Sequence, residues 1–287
     1  STSYVISDIT GCHGCNFTYN NLTGLRASAL YEIKSAGNNI NISYNLIKNI
    51  NNTGIFVSGN TPFISNNEIY GRFNNYATPL VQINWAKNAL FANNRIHAQG
   101  GLDLIIVGNA INITLKNNYY NKSLNSYNVV GTPAIVSFYT SNNITFVNES
   151  FYSYNASVNI TGLLIGNVYN VNFTMYNSII NISNGSSFDF LNANAKSGYF
   201  NFTNVTKANG TAISIGWGAG ANGTLNMHWW LDSLSNHSNG TLLSNVNVSG
   251  YDNLNRLIFN QFTNSNGRIA TISLLEYTRN NTGGTTS

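Results

Sequence analysis

Charge is what this chain lacks most. Only 8% of its 287 residues are Asp, Glu, Lys or Arg, against about 25% in ordinary soluble domains. Its thirteen Lys and Arg form no run. They set a pI near 9.0 only because acids are scarcer still, so no phosphate-tracking patch exists and a nucleic-acid partner is not expected. The nine acids are dispersed, none within three residues of another. Paired-carboxylate and calcium-cage motifs are therefore absent locally. The expectation is no enzyme, no catalytic residue, no metal and no cofactor. A polysaccharide lyase or glycoside hydrolase is the residual alternative. So few carboxylates also predict a stability that responds weakly to acid.

Other absences narrow the class further. No apolar run reaches 18 residues, which excludes a helical membrane span, and no signal-peptide pattern opens the chain. The start on strand-like Tyr4-Val-Ile-Ser7 suits a processed chain or a fragment. Three prolines, Pro62, Pro79 and Pro133, stand at strand entrances, where a missing N–H costs least. The histidines His13, His97, His228 and His237 have no ligand spacing and read as solvated loop residues. Two cysteines, Cys12 and Cys15, form one Cys-x-x-Cys pair with no second pair for zinc. A short disulfide is the favoured reading, with free thiols or an intermolecular bridge as alternatives.

Asparagine fills the gap left by charge: 55 residues, about one in five. It begins 21 Asn-x-Ser/Thr sequons, which point to a secreted, glycosylated surface. Glycan acceptors are expected at Asn16, Asn21, Asn41, Asn51, Asn121, Asn155, Asn184, Asn209, Asn222, Asn236, Asn239 and Asn247. N-linked glycans would be the only added groups.

The stretch 38–71 holds one short pattern twice. Ile42-Ser-Tyr-Asn45-Leu-Ile47 returns 22 residues later as Ile64-Ser-Asn-Asn67-Glu-Ile69. The first anchor recurs at Phe17, Ile42, Ile64, Phe91, Leu115, Phe146, Met175, Phe200, Leu225 and Leu257. An interleaved element starts at Leu30, Ile55, Leu80, Leu104, Ile135, Leu163, Phe188, Ile213, Leu242 and Ile269. Units this short cannot bury an apolar face alone, so the copies must stack. Their alternation and β-branched content read as strands. Asn20, Asn45, Asn67, Asn94 and Asn118 fall at the tight turn, as do Asn66, Asn93, Asn117, Asn148 and Asn177 one place earlier. Asparagine accepts the left-handed backbone that such turns demand, and stacked amides can form a ladder. A second ladder column is expected at Asn39, Asn88, Asn112, Asn143 and Asn172. In Met227-His-Trp229-Trp230 one indole should face the core, and the other is a candidate sugar or subunit contact.

Short strands, coils of 22–32 residues and Asn at the tight turn resemble the right-handed parallel β-helix superfamily, which includes pectate lyases, polygalacturonases, phage tailspikes and many adhesins. The resemblance implies an all-β fold: a single right-handed parallel β-helix of about ten coils over 1–276, with a flexible tail or linker at 277–287. The Asn-rich, charge-poor composition is similar to that of secreted archaeal surface glycoproteins. Neither end shows an amphipathic capping helix. The expectation is an extracellular, cell-surface structural or adhesive glycoprotein that self-associates through its end coils into a filament, appendage or layer, with surface glycans as a further partner. The alternative is a carbohydrate-binding or carbohydrate-cleaving β-helix, including a viral receptor-binding fibre.

Overall fold

The computed structural model describes residues 4–8, 11–23, 29–50, 53–72, 79–99, 105–123, 134–154, 161–165, 171–182, 188–193, 198–281 and 283–286. Among them every regular element is a strand. No helix is long and apolar enough to cross a membrane. The strands wind as a parallel β-solenoid with three faces. One complete turn is Thr53–Asn60, Phe63–Ser65 and Glu68–Arg72. The next is Val81–Lys87, Leu90–Ala92 and Arg95–Gln99. Each strand pairs in parallel with its equivalent one turn on.

Six turns have three separate strands, from Tyr4–Asp8 through Ser150–Tyr154. Above them the second and third faces fuse. Val171–Asn181 pairs with both Asn142–Val147 and Ser150–Tyr154, and Gly198–Thr206 and Thr224–Leu231 stack upon it. The expected ten coils are therefore corrected to six full turns and three two-strand turns. Past Leu231 the chain reverses. Ile272–Asn280 lies antiparallel on Thr224–Leu231, and Gly283–Thr286 lies antiparallel on Ile272–Asn280. Asn247–Tyr251 and Leu257–Phe262 pair only with each other. Leu257 and Ile269 thus do not start a tenth coil. The boundary expected at 276/277 falls inside the strand Ile272–Asn280.

The core follows from alternation: every second side chain points inward. On the first face the inward stack is Ile33, Ile55, Val81, Ile105, Val136, Leu163, Phe190 and Ile215. The expected anchors Leu80, Ile135, Phe188 and Ile213 sit one or two places early. Leu80, just before its strand, and Ile135, second in the strand Ala134–Tyr139, are themselves buried. On the second face Met175 is followed by Phe202 and Met227 rather than Phe200 and Leu225, which continue Phe173. A slip of two residues keeps the same face. The lower core is mostly isoleucine. The upper core is a phenylalanine cluster in which Phe173 touches the rings of Phe138, Phe146, Phe190, Phe200 and Phe202.

Corners are made by left-handed residues. Between the first and second faces stand Gly59, Trp85, Asn109 and Thr140, and then Asn39, Thr61, Asn88, Asn112 and Asn143. Between the second and third stand Tyr19, Tyr44, Asn66, Asn93, Asn117, Asn148, Asn177 and Asn204. Left-handed geometry disfavours a bulky Cβ, so Asn and Gly dominate. Close approach matters at Gly37, where a Cβ would lie 1.8 Å from the Cys12 carbonyl oxygen. Cys12 and Cys15 are joined as a disulfide, and this small loop rests on Gly37. Trp85 is the outlier. It is the extra residue of a bulge between Ile83 and Ala86, held at φ 60° with its indole 65% exposed. Trp85→Asn is expected to stabilise the fold by roughly 0.5–1 kcal/mol, read as a raised urea midpoint at unchanged slope.

Candidate functional site

The densest chemistry of the molecule lies in columns of like side chains that run from coil to coil. The first is buried. The backbone N–H and the Nδ2 of Asn20 both donate to Oδ1 of Asn45, at 3.0 and 2.9 Å. Asn45 repeats this to Asn67 at 3.0 and 2.9 Å, and Asn67 to Asn94 at 2.9 and 3.0 Å. Asn94 in turn reaches Asn118 at 2.8 and 3.0 Å. The second amide hydrogen goes back to a strand carbonyl: Asn45 to Phe17, Asn67 to Ile42, Asn94 to Ile64 and Asn118 to Phe91, at 2.9–3.0 Å. Each rung thus satisfies a turn N–H and a carbonyl that would otherwise be orphaned inside the fold.

The column does not stop at Asn118. Its N–H and Nδ2 both donate to Oε1 of Glu149 at 3.0 Å. The Glu149 N–H donates in turn to Ser178 Oγ at 3.1 Å. Glu149 is buried. Burial pushes its carboxyl up to about 8, partly restrained by Tyr120 and the Asn118 donors. Burial also raises the Tyr120 phenol, as does the Glu149 charge. The Tyr120 hydroxyl is near enough to influence Glu149 but makes no well-aligned hydrogen bond. The only spacing cue to Glu149 is its place three residues after Phe146.

Two exposed ladders use the left-handed residues. Asn112 donates to Asn88 at 2.9 Å and Asn143 to Asn112 at 2.6 Å, while Thr61 donates to Asn39. Asn172 departs from this column. It lies near the start of the strand Val171–Asn181 without the left-handed φ of Asn112 and Asn143, and its backbone N–H bonds to Asn142 Oδ1 at 2.9 Å. The neighbouring corner links Asn117 to Asn93 and Asn148 to Asn117 at 3.1 Å each, and Asn204 to Asn177 at 3.0 Å.

On the outward side of the third face stands an aromatic row absent from the sequence-based expectations. Tyr70 stacks on His97 with centroids 4.8 Å apart, His97 meets Tyr119 at 5.7 Å, and Tyr119 meets Tyr152 at 5.4 Å. Lys48 lies over Tyr70 and Arg95 over Tyr119, each at 5.9 Å, while the Tyr70 hydroxyl donates to Glu68. Burial lowers the His97 pKa, with Glu68 opposing and Arg95 assisting, so the ring is neutral at pH 7. The faces of the inner rings are covered by their neighbours. Edges, hydroxyls and two cations point outward, a surface for polar contact rather than ring stacking.

Trp229 and Trp230 are both tied to the protein. Trp229 is half-buried rather than core and donates to Glu276 on the capping strand. Trp230 donates to Asn177 at 2.7 Å and lies 6.2 Å from the Tyr176 ring, 40% exposed. Trp85 and Tyr19 are more exposed, at 65% and 77%, and Tyr19 stacks on Tyr44 at 4.9 Å.

The sequons divide by what their amides do. Asn41 donates its Nδ2 to Asn16 Oδ1 at 3.0 Å, and the half-buried Asn121 has an enclosed carbonyl oxygen. Asn21, Asn209, Asn222, Asn236, Asn239 and Asn247 are exposed. In three of these the sequon hydroxyl turns to its own asparagine: Thr23 to Asn21 at 2.9 Å, Thr211 to Asn209 at 2.7 Å and Ser249 to Asn247 at 3.5 Å. Asn51, Asn155 and Asn184 lie outside the described residues. Among the described residues no three His, Cys, Asp or Glu side chains cluster. The buried Asp189 takes Ser214 N–H at 2.6 Å and Ser214 Oγ at 2.9 Å, with Lys207 at 3.3 Å, which ties a late loop to the core.

No family model, curated protein or solved structure matches this chain significantly.

Removing one buried rung leaves a turn N–H, an amide and a strand carbonyl unpaired. Asn94→Ala is expected to cost roughly 3–5 kcal/mol, at about 1–3 kcal/mol for each group left unsatisfied. The exposed neighbour change Asn93→Ala should cost less than about 1 kcal/mol. Urea denaturation of both variants checks the contrast, and equal losses would refute the burial argument.

Proposed function

We propose that this chain is a non-enzymatic extracellular structural or adhesive protein, the rod-like subunit of a surface filament, appendage or layer, carrying N-linked glycans. One observation carries the reading: polar side chains on successive turns bond to their own equivalents one turn on, in the buried column from Asn20 to Glu149 and in the exposed column from Asn88 to Asn143, and aromatics of neighbouring turns stack from Tyr70 to Tyr152. Side chains used this way hold an axial repeat and are not free to converge on a substrate. Exposed sequon asparagines at Asn209, Asn239 and Asn247 are the acceptors best placed for glycans. The last strand of the second face is covered by Ile272–Asn280, so end-to-end contact at that side would use the hairpin of Asn247–Tyr251 and Leu257–Phe262. Its Tyr251, Leu254, Leu257, Ile258 and Phe262 are exposed, and its tip is held rigid by Asp252, which accepts the N–H groups of Leu254 and Arg256 at 2.9 and 2.8 Å.

A carbohydrate-binding surface is the second reading, favoured by the exposed indole of Trp85 and the exposed Tyr19–Tyr44 stack. Trp85 is held where an asparagine would fit better, and an exposed aromatic face beside amides suits a sugar ring.

Electron microscopy of purified protein separates the two. Ordered polymers are expected, and their loss in a Leu254→Ser/Ile258→Ser variant that still folds would support contact through the hairpin. Single particles at all concentrations, with soluble oligosaccharides quenching indole fluorescence in wild type and about fivefold or more weaker binding in Trp85→Asn, would replace the first reading by the second.

A further inference from the structure

We propose that Glu149 works as a neutral carboxylic acid, the sixth rung of the buried amide ladder, donating its proton to the Leu115 carbonyl oxygen, and that ionisation of this one group loosens the solenoid between the turns carrying Asn118 and Ser178. The argument is positional. Every amide of the ladder after the first returns a hydrogen to the carbonyl of the residue three places before the preceding rung: Phe17, Ile42, Ile64 and Phe91. The next carbonyl in that series is Leu115. Glu149 occupies the rung, and its Oε1 takes the Asn118 N–H and Nδ2 hydrogens at 3.0 Å as each Asn Oδ1 does below it, while Oε2 lies farther from the same Nδ2, at 3.2 Å, and keeps its proton for the carbonyl. An ionised carboxylate would have no hydrogen to return. A neutral acid has one, on Oε2, and so reproduces both halves of an asparagine rung.

The surroundings favour the neutral form. Asn118 and Tyr120 face Glu149 from the turn below, and the Ser178 hydroxyl faces it from the turn above, itself donating to the Tyr176 carbonyl at 2.7 Å. Phe146 and Phe151, both buried, lie close to it along its own chain. Tyr120 is the one other titratable group facing it among the described residues, and its ring stacks on Phe151 at 4.7 Å. Among the described residues no cation shifts Glu149. A buried carboxylate without a cation is costly, and protonation removes that cost.

Its folded pKa is raised, so the stabilisation is complete below the unfolded pKa and is lost as pH rises through the folded one. That window runs from 4.5 to about 8. The folding equilibrium constant of the full chain should fall about tenfold per pH unit across most of this window and level off above it. Glu149→Gln supplies an amide hydrogen at every pH, so its stability should not fall over the window. Subtracting the variant from wild type cancels the remaining acids and also His97 and His228, whose lowered pKa values work in the opposite direction. Urea unfolding of both proteins at pH 5, 6, 7, 8 and 9 is the test. A wild-type curve with no fall, or the same fall in both proteins, overturns the proposal. Should Glu149→Gln fail to fold, infrared spectroscopy of wild type decides. A neutral-carboxyl C=O band present at pH 7 and lost at pH 9 supports the assignment, and no such band at pH 7 overturns it.

Discussion

The whole structure depends on axial register: each turn must meet the next at the same residue, three times per circuit. Parallel strands supply most of this through backbone hydrogen bonds, and these run into the second corner, where the left-handed Asn66 and Asn93 donate their N–H groups to the Ala92 and Lys116 carbonyls of the next turn. The N–H of the residue after each left-handed one goes to a side-chain oxygen instead. The buried column from Asn20 to Glu149 supplies these bonds at the second corner. Because each rung bonds to its equivalent one turn on, a slip of one residue would break every rung together. This is a cooperative lock on register that apolar packing alone does not provide, since a slip of two leaves the same face inward.

That constraint shapes the surface as well as the core. Aromatics placed outward at two interleaved register positions of successive turns meet at stacking distance, as Tyr70, His97, Tyr119 and Tyr152 do. The rings then cover each other. What is presented to solvent is a ridge of edges, not a platform. Exposed rings stand at the Trp85 bulge and at Tyr19 of the first turn, and also at Tyr199 inside the regular strand Gly198–Thr206.

These particulars also explain what the sequence revealed and what it hid. The buried ladder was legible because asparagine recurred three residues after an apolar anchor, through five turns. Glu149 was hidden because a glutamate at that spacing looks like an ordinary surface acid, and only stacking shows that it inherits two amide donors. Asn172 misled in the opposite direction: its spacing was right, but it lacks the left-handed φ of Asn112 and Asn143. The last turns were misread because, where the strands fuse, the second corner keeps its left-handed Asn177 and Asn204 but the ladder position beside them holds Ser178 and Val205 instead of asparagine. The antiparallel cap was illegible in principle, because alternation of polar and apolar residues is the same for either strand direction. The aromatic row was missed for another reason: Tyr70, His97, Tyr119 and Tyr152 belong to two interleaved outward positions and share no fixed spacing.

The scarcity of charge follows from the same geometry. A surface position on a parallel solenoid repeats about every 4.8 Å. Like charges stacked at that spacing repel by about 1 kcal/mol per pair even in water, and more beside a low-dielectric core. Each amide both donates and accepts, so a column of identical amides is attractive at every step. Charges survive here where the column alternates, as where Glu68 and Arg95 are register partners, or where an aromatic follows, as Tyr70 follows Lys48. An acid inside the amide column can persist only if it imitates the amide, by giving up its charge and keeping a hydrogen. The composition that first looked like a deficiency of ions is what a long axial repeat of hydrogen-bonded side chains requires.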